Sequence, residues 1–188
     1  MNKIFTMTLA AALFTTIAVQ AAERNEKTVF ITNVSYKSNL GGLAGADDKC
    51  QSQADDPASI VPSGTYMAWL SDGTDSPNSR FTKSSHPYVL PDGTKIAENY
   101  TDLTDGSILH EINIDPIGEP TGWQSFWSST NSDGTSSQKF LTCVGWTWTD
   151  TSTYSHAMLG HTGKKSNLWS HNNREKCRPY YRLACFQQ

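Results

Sequence analysis

An α+β domain, mostly antiparallel strands with one main helix, long loops and two disulfides, follows from three features of the sequence. Short β-branched and aromatic runs alternate with period two along most of the chain, the mark of strands with two distinct faces. The clearest helical period is confined to Leu43–Ala54, where Leu43, Ala46, Cys50 and Ala54 fall on one face. Four cysteines remain after the N-terminal segment: Cys50, Cys143, Cys177 and Cys185. An even number in an exported chain reads as two bridges, with three pairings open.

Export is read from residues 1–21. Lys3 gives a positive start, Ile4 to Val19 is mostly apolar, and Val19-Gln20-Ala21 is a small-residue cleavage site. That pattern is a signal peptide rather than a bilayer span. The alternative is a retained N-terminal anchor. No cysteine sits at the cleavage site, so a lipid anchor is not expected. The mature chain, residues 22–188, is expected to be a single domain without a transmembrane segment. It is expected to be secreted or periplasmic.

The elements follow in order. Thr28–Thr32 is a β-branched first strand. Asn33–Asn39 leads through the Gly41-Gly42 turn into the helix, which Pro57 and Pro62 stop. Thr65–Ser71 is a strand in which Tyr66, Ala68 and Leu70 alternate with Thr65, Met67 and Trp69. Ser71–Pro87 is a long polar loop. Tyr88–Ala97, around Pro91-Asp92-Gly93, is a small hairpin. Asn99–Leu103 is a helical turn with Tyr100 and Leu103 inward. Ile108, Ile112, Ile114 and Ile117 run through a mixed segment ending at Pro120. Ser125–Ser129 is a strand, and Asn131–Thr135 its turn. Leu141–Thr149 is predicted as a strand with Val144, Trp146 and Trp148 on one side. Residues 150–176 are predicted as a long surface loop. Tyr180–Phe186 closes the chain as a strand with Tyr181, Leu183 and Cys185 on one face.

Charge is lopsided. Residues 22–133 hold 7 Lys+Arg against 16 Asp+Glu, and residues 134–188 hold 7 against 2. The acidic part argues against general nucleic-acid or heparin binding, while the basic last third leaves room for a local patch.

Several segments together resemble one family. GGLAGADDKCQSQAD (residues 41–55) followed by SGTYMAWLSD (residues 63–72) is similar to the N-terminal part of endostatin, the collagen-derived C-type-lectin-like domain. Pro87-Tyr88-Val89, Phe126-Trp127-Ser128, Cys143-Val144-Gly145-Trp146 and Tyr181–Cys185 resemble later family segments in the same order. The resemblance extends from about Val29 to Phe186. It also takes in the bacterial (leptospiral) endostatin-like surface proteins, which bind host matrix and complement factors. The resemblance implies a C-type-lectin-like fold with nested bridges, Cys50–Cys185 and Cys143–Cys177. By chain-entropy reasoning these loops contribute roughly 5 and 4 kcal/mol.

Chemistry is sparse. Calcium-binding lectins of this fold carry Glu-Pro-Asn or Gln-Pro-Asp and a later Trp-Asn-Asp. Here Glu119-Pro120-Thr121 and Trp127-Ser128-Ser129 stand instead, and calcium needs six or more oxygens. Endostatin's N-terminal zinc histidines have no counterpart in residues 22–27. His110-Glu111 starts a zincin-like pair, but Ile114 replaces the second histidine. His156, His161 and His171 are expected to be solvated loop residues, with metal binding as the alternative. No nucleophile elbow, phosphate loop or dinucleotide fingerprint occurs. No catalytic residue, metal or cofactor is therefore expected.

Two sets suit binding. The basic set is Lys164, Lys165, Arg174, Lys176 and Arg178; its alternative is a merely solvated face. Among the tryptophans, Trp127 and Trp146 match core positions of the family. Trp123, Trp148 and Trp169 lie beside turns or loops and are candidates for exposed contacts, Trp being favoured at hot spots. The expected function is non-catalytic: a secreted bacterial adhesin or effector, monomeric, engaging host matrix, a serum protein or a glycan. The alternatives are an assembly module of the bacterial envelope and a secreted hydrolase.

Overall fold

The computed structural model describes residues 25–148 and 155–188. The predicted signal peptide, the domain start at residue 22, the end of the predicted Leu141–Thr149 strand and the first residues of the predicted 150–176 loop lie outside the described residues. The strands are β1 (Lys27–Ile31), β2 (Tyr66–Ala68), β3 (Tyr88–Val89), β4 (Lys95–Ala97), β5 (Ser125–Trp127), β6 (His156–His161), β7 (Asn173–Lys176) and β8 (Ala184–Gln187). The helices are α1 (Gly42–Ala54) and the single turns α2 (Pro77–Arg80) and α3 (Tyr100–Leu103). The architecture is α+β with strands predominating.

One sheet has the order β2-β8-β1-β3-β4 and the other β5-β6-β7. Among the described strand pairs, only β1 and β3 run parallel, and an isolated parallel bridge joins Phe126 to Arg182. The strands at the centre of the large sheet are buried on both faces, and their alternation divides two cores. Val29, Ile31, Trp69, Ala184 and Phe186 enter one core, with Tyr88, Leu90, Ile96, Leu103, Ile108 and Ile112. Phe30, Tyr66, Ala68, Leu70, Leu183 and Cys185 enter the other, beneath α1 and against Trp127, Trp146, Ala157 and Leu159. The predicted face of Tyr181, Leu183 and Cys185 thus meets the second core. Ile117, the last of the isoleucine series, is partly exposed.

Gly41, at φ 88°, makes the left-handed entry into α1, a conformation that costs glycine little. Ala46 and Cys50 are fully buried, and Leu43 and Ala54 pack beside them. The opposite chemistry on α1 serves the sheet. Gln51 Oε1 accepts from Tyr66 N at 2.9 Å, and Asp47 Oδ1 accepts from Ala68 N at 2.9 Å. A helical i, i+4 step rises about 6 Å and two strand residues span about 6.6 Å, so the two spacings match. Asp47 Oδ2 also pairs with Arg80 of α2. Burial pushes the Asp47 carboxyl above its ordinary range, against the pull of Ala68 N–H and Arg80.

The bridges are Cys50–Cys185, tying α1 to β8, and Cys143–Cys177. A buried hydroxyl network lies where the sheets meet. Ser71 Oγ lies 2.8 Å from Thr130 Oγ1, Ser170 Oγ donates to Thr130 O at 2.7 Å, and Trp69 Nε1 donates to Ser170 Oγ at 2.6 Å.

Two predictions for the last third are corrected. Leu141–Trp148 is not a strand: Cys143, Val144, Gly145 and Trp146 all have positive φ and form a left-handed turn. The Cys143–Cys177 bridge holds its start. Trp146, whose Nε1 donates to Ser71 O at 2.8 Å, anchors its end. Burying the indole and both sulfurs in one core prevails over the strand-like alternation of the sequence. Residues 155–176 are not one surface loop either. They contain β6, β7 and the 3-10 turn Asn167–Trp169. The polar loop after β2 likewise contains α2, whose first turn Ser76 and Ser79 close as a capping box.

Candidate functional site

The predicted site residues divide into three groups. Trp148 and Trp169 are core residues, 5% and 1% exposed, so the expectation of surface contact is corrected for both. Trp169 stacks against Trp69 at 4.8 Å and near Phe186. The 3-10 turn that carries it folds back onto β6, and a Cβ at Gly160 would come within 2.4 Å of its carbonyl oxygen. The apolar area of an indole, once covered, outweighs the polarity of the surrounding sequence.

Trp123 is the reverse case. It is 76% exposed although its backbone is held on both sides. Thr162 does the holding: its Oγ1 donates to Gly122 O at 2.8 Å and accepts from Gln124 N at 2.7 Å, while Thr162 N donates to Gln124 O at 2.9 Å. The indole lies over Gly163, where a Cβ would come within 2.6 Å of it. Gly163 N donates to His161 Nδ1 at 3.0 Å, and Lys164 N to His161 O at 3.2 Å, closing the turn beneath the ring. Burial and the nearby Lys164 charge hold the His161 pKa below its ordinary value, against the pull of Glu111. Lys164 and Lys165 are exposed on the same turn. The Lys165 carbonyl is fixed by Ile108 N at 2.8 Å. The structure therefore seats Trp123, from the segment before β5, over Gly163, next in sequence to Lys164 and Lys165 on the turn after β6.

Arg174, Lys176 and Arg178 lie elsewhere. Arg174 and Lys176 are exposed on β7, opposite Met158 and His156. Arg174 Nη2 lies 3.3 Å from His156 Nδ1. Lys164 follows His161, so the two basic groups are separated by three to five residues of β6, on the order of 10–17 Å. Arg178 is exposed just beyond Cys177. The five cations do not form one patch.

His156, His161 and His171 are half-buried on or beside β6 and β7 rather than solvated in a loop. Burial lowers the pKa of His171 as well. Among the described residues, no group of three or more His, Cys, Asp or Glu is placed to hold a metal ion. Glu119-Pro120 belongs to a closed turn, in which Asp115 Oδ1 accepts from Glu119 N at 2.9 Å and Asp115 N donates to Glu119 O at 3.0 Å. No described helix is long and apolar enough to cross a membrane.

One concave feature had no forewarning in sequence. A groove of about 730 Å³ lies between residues 83–85 and α3, lined by Lys83, Ser84, Ser85, Asn99, Tyr100, Thr101, Asp102 and Asp105. Its residues come from two polar connections without a motif. The capping Asn99, which accepts from Asp102 N, is the nearest to a sequence signal.

Compared with known proteins, the chain matches no family model and no curated protein.

Proposed function

We propose that this chain is an exported, non-catalytic binding protein with an endostatin-like C-type-lectin-like fold. It engages host matrix, a serum protein or a glycan through Trp123 and the adjacent Lys164-Lys165 turn. The observation that carries the reading is Trp123: a large indole, 76% exposed, on a backbone fixed at both flanking residues. A fixed aromatic loses little conformational entropy on binding, and Trp is the residue type most enriched where binding energy concentrates. The nested Cys50–Cys185 and Cys143–Cys177 bridges support the family resemblance and suit an oxidising compartment.

The test is binding of the oxidised protein to immobilised laminin, fibronectin, heparin and a glycan panel, at low and physiological salt. Trp123→Ala is expected to weaken a bound partner by roughly 30-fold, the scale of a hot-spot truncation. Lys164→Ala with Lys165→Ala is expected mainly to flatten the salt dependence. Unchanged binding in Trp123→Ala would remove Trp123 from the site. Absence of binding to every partner would overturn the matrix reading and turn attention to envelope partners.

A further inference from the structure

We propose that the groove between residues 83–85 and α3 is a second site, separate from Trp123, that takes a small zwitterionic solute of amino-acid or dipeptide size. Its volume, about 730 Å³, falls in the range of small-molecule sites, roughly 300–1,000 Å³. Three charged side chains line it, Lys83 from one wall and Asp102 and Asp105 from the other. None of the three is in an ion pair among the described residues, where the pairs are Arg80–Asp47 and Lys95–Glu98.

Each charge is held in place yet keeps bonding capacity. Lys83 Nζ lies 5.7 Å from the centre of the Tyr100 ring instead of crossing to a carboxylate. Asp102 Oδ2 accepts from Glu98 N at 2.7 Å, which leaves Oδ1 open. Asp105 Oδ1 accepts from Ser107 N at 3.1 Å, which leaves Oδ2 open. Tyr100, 6% exposed, belongs to the α3 wall, and its hydroxyl is buried beside Gly134, where a Cβ would come within 2.8 Å of it. Tyr100 N donates to Ser84 O at 2.9 Å and ties the walls together, so the groove is preformed. Ser85 and Thr101 are exposed along it and offer neutral hydroxyls.

Opposite charges that share a groove without meeting are complementary to a ligand bearing both signs. An ammonium group suits the two carboxylates and a carboxylate suits Lys83, each through charge-assisted hydrogen bonds. A polyamine would leave Lys83 opposed by like charge. A neutral saccharide would leave all three charges desolvated and unpaired, at a cost.

The probe is glycylglycine, followed by backbone amide resonances of the oxidised full-length mature protein. Saturable shifts are expected at Ser85, Thr101 and Asp102, with a Kd on the order of 1 mM. Asp102→Asn with Asp105→Asn keeps the oxygens that accept from Glu98 N and Ser107 N while removing both charges, so the fold is retained. This double variant, and separately Lys83→Gln, is expected to weaken binding about tenfold. N-acetylated, C-amidated glycylglycine, which lacks both charges, is expected not to bind. The proposal is overturned if these residues show no saturable shift, or if the capped peptide binds equally well. It is also overturned if Lys83→Gln leaves the affinity unchanged while spermidine binds the same groove, since the site would then take cations alone.

Discussion

At the scale of single residues, the buried polar atoms carry the sharpest consequences. Trp69, Trp127 and Trp146 are fully buried, and each indole N–H donates to an oxygen, in turn Ser170 Oγ, Tyr36 O and Ser71 O. Ser170 is the most consequential of these partners, because it also donates to Thr130 O. Ser170→Ala removes little volume but leaves Trp69 Nε1 buried and unpaired. The expected loss is about 1–3 kcal/mol, read as a lower urea midpoint with unchanged slope. Sequence alone gave part of this picture. Trp127 and Trp146 matched core positions of the resembled family. Trp148 and Trp169 are expected at the surface because they stand beside turns or loops, yet both are buried. Burial there is decided by what folds back over the ring, and that partner is distant in sequence. Trp123 keeps its predicted exposure because Thr162 fixes the backbone and leaves the ring outside.

At the scale of elements, α1, β2 and β8 were legible from a period that matches the faces they bury, β1 from its β-branched run, and the β3–β4 hairpin from its Pro91-Asp92-Gly93 turn. The last third was not. In β6, Ala157 and Leu159 supply the only inward pair, next to Gly160, and β7 is an edge strand reading Asn-Arg-Glu-Lys. An edge strand with charged side chains needs no apolar alternation, so its sequence resembles a loop. The 141–148 segment failed for the opposite reason. Its alternation is strong, but the bridge and Trp146 bend it into left-handed residues. Val144 sits at φ 58° and ψ 49°, and its side chain is 63% exposed. The left-handed region costs a β-branched residue about 1–2 kcal/mol, and an exposed side chain returns little of that. Val144→Asn, which tolerates this conformation, is expected to stabilise the protein by about 1 kcal/mol, read as a raised Tm in thermal unfolding. Most point substitutions have the opposite sign.

At the scale of the whole molecule, stability is divided between two cores on either side of one sheet, with both bridges inside the second core. Cys50–Cys185 closes a separation of 135 residues and Cys143–Cys177 one of 34. The longer loop removes more entropy from the unfolded chain, roughly 5 against 4 kcal/mol. Both are large beside the roughly 5–15 kcal/mol that holds an ordinary domain folded. Cys50→Ser with Cys185→Ser is expected to cost at least as much as Cys143→Ser with Cys177→Ser, measured by urea unfolding of the two variants. The number of bridges was legible from the even cysteine count, read together with the expected export signal. Their partners were implied only by resemblance, since three pairings fit the spacing.

The hold of α1 on β2 gives the longer bridge a second meaning. Asp47 and Gln51 occupy the amides of Ala68 and Tyr66 at the rim of the large sheet, and Cys50, between them in sequence, fastens the helix to β8. Cutting that bond loosens the helix and bares a row of donors that another molecule's strand can occupy. The oxidised bridge is thus expected to guard against edge-to-edge association as well as unfolding. In reducing buffer, growth of light scattering with a rising β-sheet signal is expected to precede complete loss of structure.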